Sequence, residues 1–213
     1  MSYYFPEGTR IYYSSTFAAT KTVTAVSNAS PASCTSTSHG YSDGDIVLFD
    51  SGWEDADDTL FKVDQIDANT FTLLGLNSSN TTFFPSGSGT GTTSAVSTWV
   101  EMPQVLTISS TGGGPRFATI EPLARRNALS QWTGFDPVNM TVTLGHDPVN
   151  ATYLSMLDLS RVGTVIGIKI VGGSGGTTYA YGQMGVSEVP RYQRGQANQV
   201  DVAITVKGRL ITY

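Results

Sequence analysis

Residues 22–98 form a β-rich segment spliced between a single opening strand, Thr9–Ser14, and a second β-rich body that resumes at about Trp99. The chain therefore reads as a body of residues 1–21 plus 99–213 carrying an inserted module, residues 22–98. Within the module, strands are expected at Thr22–Val26, Ile46–Phe49, Leu60–Ile66 and Thr70–Leu74. In the last of these Phe71 and Leu73 face one way and Thr70 and Thr72 the other, the period of two that marks a half-buried strand. A Ser/Thr/Pro stretch follows the first strand, and an acidic turn links the second to the third. The run Pro85–Thr93, rich in Gly, Ser and Thr, reads as a flexible return linker. A small β-barrel or sandwich is the expected module.

The body is patterned differently. Strands are predicted at Gln104–Ser109 and Phe117–Glu121, separated by the glycine turn Gly112–Pro115. A long connection, Pro122–Pro137, leads to the alternating strand Met140–Leu144. Connections this long are uncommon in compact domains unless they serve a function. One helix is expected, with Asp147 as N-cap, Pro148 at its first position, Val149, Tyr153 and Leu157 on one face, and Gly163 as its stop. Strands then follow at Thr164–Val171, Thr177–Tyr181 and Val200–Lys207, with Gly172–Gly176 as a hairpin turn. The final strand sets Val200, Val202, Ile204 and Val206 on one face against Asp201, Ala203, Thr205 and Lys207 on the other. The predicted class is mainly β: two β-sheets, or a β-sandwich, with one flanking α-helix and an inserted small β-rich module.

Charge is scarce, at 14% of 213 residues, which leaves few solubilising side chains and suits a surface largely covered by copies of the same chain. The net charge of −5 is unevenly spread. Residues 22–98 hold nine acids against Lys62 alone, whereas the rest holds eight acids and eleven bases. So acidic a module offers no clustered Lys and Arg for phosphate. The single Cys34 precludes an intrachain disulfide, and the start MSYYFPEGTR carries no secretory pattern, so folding in a reducing cytoplasm is expected. No apolar run reaches transmembrane length.

Residue types that carry chemistry do not cluster. His39 and His146 each sit beside a turn signal, where a hydrogen bond or cap is the usual role. The acidic run Glu54, Asp55, Asp57 and Asp58 lacks the glycine and terminal Glu of a calcium loop and reads as a solvated turn. Gly172–Gly176 has neither the helix nor the lysine of a phosphate loop. No catalytic residue, metal ligand or cofactor is expected. Arg125 and Arg126, in the long connection with Trp132 and Phe135, combine the residue types that anchor protein interfaces.

The segment Phe117-Ala118-Thr119-Ile120-Glu121-Pro122-Leu123 is followed by a long loop, Gly134-Phe135-Asp136-Pro137, a strand, Asp147-Pro148 opening a helix, and a close at Val200–Arg209. This order resembles the tail tube proteins of long-tailed, siphophage-type bacteriophages. The module, with Ser38-His39-Gly40-Tyr41-Ser42-Asp43-Gly44-Asp45-Ile46-Val47 and Ala68–Leu73, is similar to a small β module of phage structural proteins. The resemblance implies a β-sandwich with a flanking helix, forming homo-hexameric rings stacked into a hollow tube through which DNA passes without specific binding. It implies tape measure, tail terminator and baseplate proteins as further partners, no membrane, and a place in the virion after assembly in the host cytoplasm.

On that reading Leu123, Arg125, Arg126, Leu129, Trp132, Phe135 and Asp136 belong to a loop reaching the neighbouring ring. Thr141, Thr143, Asp201 and Thr205 suit a lumen wall. Glu54, Asp55, Asp57 and Asp58 lie on the tube exterior, and deletion of Thr22–Thr98 is expected to leave assembly intact. The alternatives are another ring component of the tail, such as a terminator, connector or baseplate hub, and a glycan-binding module using Tyr41, Trp53 and Asn77–Thr82. An enzyme ranks third.

Overall fold

The computed structural model describes residues 7–173 and 175–213. Residues 1–6 of the predicted body, and Ser174 of the glycine turn, lie outside them. After β1 (Arg10–Ser14) the chain builds a seven-stranded sheet from β2 (Lys21–Val23), β3 (Ala25–Val26), β4 (Ala32–Thr35), β5 (Ile46–Ser51), β6 (Thr59–Asp67), β7 (Thr70–Leu74) and β8 (Gly91–Ala95), in the order β2-β8-β5-β6-β7-β4-β3. The two terminal strands of that order are separated in sequence by Thr24 alone, so the sheet closes into a barrel and leaves no long free edge. Odd-numbered side chains of β5 and β6 (Val47, Phe49, Phe61, Val63) fill its interior together with Cys34, Trp53, Phe71, Leu73 and Phe84.

Two module expectations are corrected. The predicted linker Pro85–Thr93 ends in β8, which runs between β2 and β5 with Thr93 fully buried. β4 lies in the stretch read as irregular, and it is paired to β7 through Ala32↔Leu73 and Cys34↔Phe71. Both strands are built largely from Gly, Ser, Thr and Ala, so no apolar alternation announces them.

The second sheet joins β1 to β9 (Val100–Glu101), β10 (Val105–Thr111), β13 (Asn139–Gly145), β14 (Val165–Val171), β15 (Thr177–Val186), β16 (Gln199–Val206) and β17 (Ile211–Thr212). Its order is β10-β13-β16-β15-β14-β1-β9, with β17 beside β15. β15 is the corner: Gly182–Val186 pair with β16, whereas Thr177–Gln183 pair with β14. Both halves send side chains into one core, including Ile11 and Tyr13 from β1, Ile166 and Ile168 from β14, Val142 and Leu144 from β13, and Val200, Val202 and Ile204 from β16. A sheet that folds over a shared core turns its two outer faces away from each other, as in a β-sandwich. α1 (Ala151–Val162) packs against β15 and buries Tyr153 and Met156 in that core.

The cap of α1 differs from expectation. Asn150, not Asp147, is the N-cap, its Oδ1 accepting from the amides of Thr152 (3.0 Å) and Tyr153 (3.1 Å). Asp147 closes a turn ahead of the helix by accepting from the Val149 amide at 3.2 Å, so Pro148 and the exposed Val149 precede the helix. Gly163 ends the helix at φ 71, the left-handed conformation that glycine adopts without strain.

Barrel and sandwich are joined by more than the connecting chain. Thr16–Ala18 and Ala95–Ser97 run together as a neck. Beyond it, Leu60 points out of the barrel yet is fully buried, and a side chain at Gly167 of β14 would touch it. The Tyr213 hydroxyl donates to the Leu74 carbonyl at 2.6 Å and accepts from the Lys62 amide at 2.9 Å. Lys207 pairs with Asp58 at 3.6 Å, and Phe17 stacks edge-on against Tyr181.

Burial pushes the phenols of Tyr13, Tyr41, Tyr179, Tyr181 and Tyr213 above their ordinary value of 10.0, and the Cys34 thiol from 9.0 up to about 12. A raised folded-state pKa means that the unfolded chain releases these protons first. The resulting stability is whole below the unfolded values and is lost as pH climbs through the folded ones. Thermal scans should therefore show a flat unfolding midpoint from pH 7 to about 9 and a steep fall above about 10. A midpoint unchanged to pH 11 would contradict this burial.

Candidate assembly surfaces

The outer faces of the two sheet halves have different fates. Over β14 and β15 the outer face meets the barrel, Gly167 against Leu60 and β15 against β6. Over β10, β13 and β16 it is bare among the described residues. Register alignment places Thr141 opposite Ser109 and Ala203, Thr143 opposite Thr107 and Asp201, and Asn139 opposite Thr111 and Thr205. Thr141, Thr143, Asp201 and Thr205 are thus brought together on one face, the reverse of the buried stripe Met140, Val142, Leu144, Val200, Val202 and Ile204. The alternation read from the sequence holds because each strand buries one face only.

The chemistry of this face is that of short hydroxyl side chains. Its acid, Asp201, accepts from the Thr143 hydroxyl at 2.8 Å and pairs with Arg191 at 2.7 Å. Arg191 comes from the β15–β16 loop and is a partner that the sequence does not announce. Lys207, the next residue of this parity, leaves the strand and pairs with Asp58. Among the described residues β10 has β13 on one side and no strand on the other, a seven-residue free edge, and such an edge is a template for pairing with another chain.

The long connection Pro122–Pro137 is not irregular throughout, as expected from sequence. β11 (Pro115–Ile120) and β12 (Leu129–Phe135) form a two-stranded antiparallel sheet of their own, with Phe117 opposite Trp132 and Ile120 opposite Leu129. The sequence of β12, Leu-Ser-Gln-Trp-Thr-Gly-Phe, shows no clean alternation, because the register shift between Arg116 and Phe117 leaves Thr133 without an opposite residue and Gly134 brings no side chain. Its base is tied by the Asp136 amide to the Gly114 carbonyl at 2.9 Å. No residue of either strand is buried. Phe117 and Trp132 project from one face, Ile120 and Leu129 from the other, and Leu123, Arg125 and Arg126 occupy the exposed tip. A lone hairpin is marginal in water, and one with apolar side chains on both faces is built to be covered.

Other sequence candidates fall elsewhere. His39 is buried, with Nδ1 accepting from the Tyr41 amide and Nε2 at 2.8 Å from the Asp67 carbonyl, the hydrogen-bonded turn role expected. His146 stacks against Tyr153, and its buried Nδ1 has no partner among the described residues. In the acidic turn Glu54 and Asp55 are exposed, but Asp57 accepts from the Ser51 amide and Asp58 turns to Lys207, so the solvated reading holds for half of it. Tyr41 and Trp53 are barrel core, 5% and 1% exposed, which removes the aromatic platform of the glycan-binding alternative. Among the described residues no three His, Cys, Asp or Glu side chains gather as metal ligands, and no helix is long and apolar enough to cross a membrane.

A free strand edge and an uncovered apolar arm are both completed by other polypeptide, which defines a structural subunit of an assembly. The particular assembly follows from comparison. A family model of phage tail tube proteins matches residues 51–213, and the chain belongs to that family. The match begins inside β5 and so takes in the later barrel strands as well as the sandwich. Comparison with curated proteins finds no match. The chain is a β-rich structural component of a phage tail tube.

Proposed function

We propose that six copies of the chain close into a ring, that rings stack into a hollow tube, and that genomic DNA passes through the lumen on its way to the host. The observation that carries this reading is the bare face of β10, β13 and β16. Small hydroxyl side chains present no bulk, and an acid held by Arg191 presents little net charge. A conduit needs such a wall, because clustered free Lys or Arg would hold phosphate by releasing its counterions. The β10 edge supplies strand pairing around the ring, and head-to-tail contacts through the arm propagate as an open filament. The inserted module, residues 22–98, faces outward, since it covers the sandwich face turned away from the bare one. Tape measure, terminator and baseplate proteins meet the tube inside and at its ends, and assembly takes place in the host cytoplasm.

The test is to turn the wall basic. Tubes of the unsubstituted chain should retain no short duplex DNA at 50 mM salt. Tubes carrying Thr141→Arg should retain it, with affinity that falls about tenfold or more by 200 mM as phosphate contacts accumulate around each ring. If the substituted tubes hold no more DNA than the original, this face does not line the lumen.

A further inference from the structure

A cavity of about 610 Å³ opens between α1 and the β1–β9 edge, lined by Tyr13, Thr98, Val100, Asp158, Leu159 and Val162 among others. It lies within the size range of ligand pockets, and its rim is apolar and uncovered, with Val162 82% exposed. The arm poses the complementary problem, since Leu123 at its tip is fully exposed, at 108%. Charge complements shape. Asp158 is the sole side chain charged at neutral pH among the cavity's lining residues, and the tip loop around Leu123 carries Arg125 and Arg126 against Glu121.

We infer that the arm tip of one copy seats in the α1–β1 cavity of a second copy, with Leu123 entering between Val100 and Val162 and Arg125 or Arg126 meeting Asp158. This deepens the stacked-ring reading and rests on it. Seating removes Leu123 and the apolar rim from water together, and it draws the Asp158 carboxylate away from the exposed, 3.7 Å pairing with Arg161, where a surface ion pair contributes little. The arm's own side chains Trp132 and Phe135, 5.7 Å apart and edge to face, are left to cover the ground between tip and base.

The test is a disulfide between copies. Leu123→Cys and Val162→Cys are placed in one chain. Both positions are exposed, so neither substitution removes core packing, and the native Cys34 is buried and stays out of the reaction. Tubes are assembled and treated with a mild oxidant. The seat predicts loss of the monomer band in favour of a ladder of linked chains, while either single variant stays monomeric, because a bridge requires the two Cα atoms to come within about 7 Å. Tubes that form without a ladder, or with bridges confined to single copies, overturn the seat and leave the tube reading standing. Absence of tubes from the unsubstituted chain overturns the tube reading itself, and the seat with it. A second variant guards against impaired assembly by the cysteines. Asp158→Arg should weaken polymerisation, and adding Arg125→Asp and Arg126→Asp should restore it; failure to restore contradicts the charge pairing.

Discussion

Replacing the arm between Arg116 and Gly134 with a two-residue Asn-Gly turn should leave a folded, soluble subunit that no longer forms filaments. The expectation follows from where the arm's energy lies. Its strands bury nothing against the sandwich or the barrel, so their removal costs the fold little, and the unfolding midpoint should move by no more than about 3 °C. Assembly, by contrast, loses Phe117, Ile120, Leu123, Leu129 and Trp132 at once, with Arg125 and Arg126. Interfaces draw most of their affinity from a few such aromatic and arginine anchors, so losing them all should raise the concentration needed for polymerisation beyond reach. Light scattering and circular dichroism on the same preparation separate the two effects. Continued filament growth from the armless chain would mean that stacking runs through another surface.

The second large effect concerns the barrel. An insertion joined by a neck invites removal, and the sequence alone suggests that deleting Thr22–Thr98 would spare assembly. The structure predicts the opposite. The deletion strips Leu60 from Gly167 and the β6 contacts from β15, and it removes the Lys62 amide and Leu74 carbonyl that hold Tyr213. The deleted chain should therefore lose cooperative unfolding or precipitate. A milder probe is Leu60→Ala, which should cost about 2 to 5 kcal/mol, the range for a buried leucine whose site cannot collapse. A shift under about 0.5 kcal/mol would show that the two units are tethered but not packed.

How much of this was legible beforehand depended on whether a strand buried one face. β13, β16 and β7 do, and their alternation placed the buried side chains on one face and the polar ones on the other. β4 and β8 lie inside a closed barrel but are made of small side chains, which carry no period. β12 buries nothing in the isolated chain, so the pattern that would mark it awaits a partner. Asn150 displaced Asp147 as the helix cap because a turn around Pro148 uses the earlier residue first, a choice of local geometry that spacing does not fix. The junction residues Leu60, Gly167 and Tyr213 are far apart in sequence, and each meets its partners only once both units have folded. Trp53 and Tyr41 misled for a different reason: in a turn-rich segment an aromatic reads as exposed, whereas each anchors the barrel interior, with the Trp53 indole donating to the Pro85 carbonyl at 2.8 Å.

The central claim is that the bare hydroxyl face and the apolar arm exist to build a hollow tube. Electron microscopy of the purified chain at rising concentration, with light scattering to give the mass of the soluble species, tests it most directly. The account predicts stacked rings with an open lumen, six subunits in each ring, and the β10–β13–β16 face on the inner wall. Single closed rings that never stack, or tubes with the barrel lining the lumen, would contradict it.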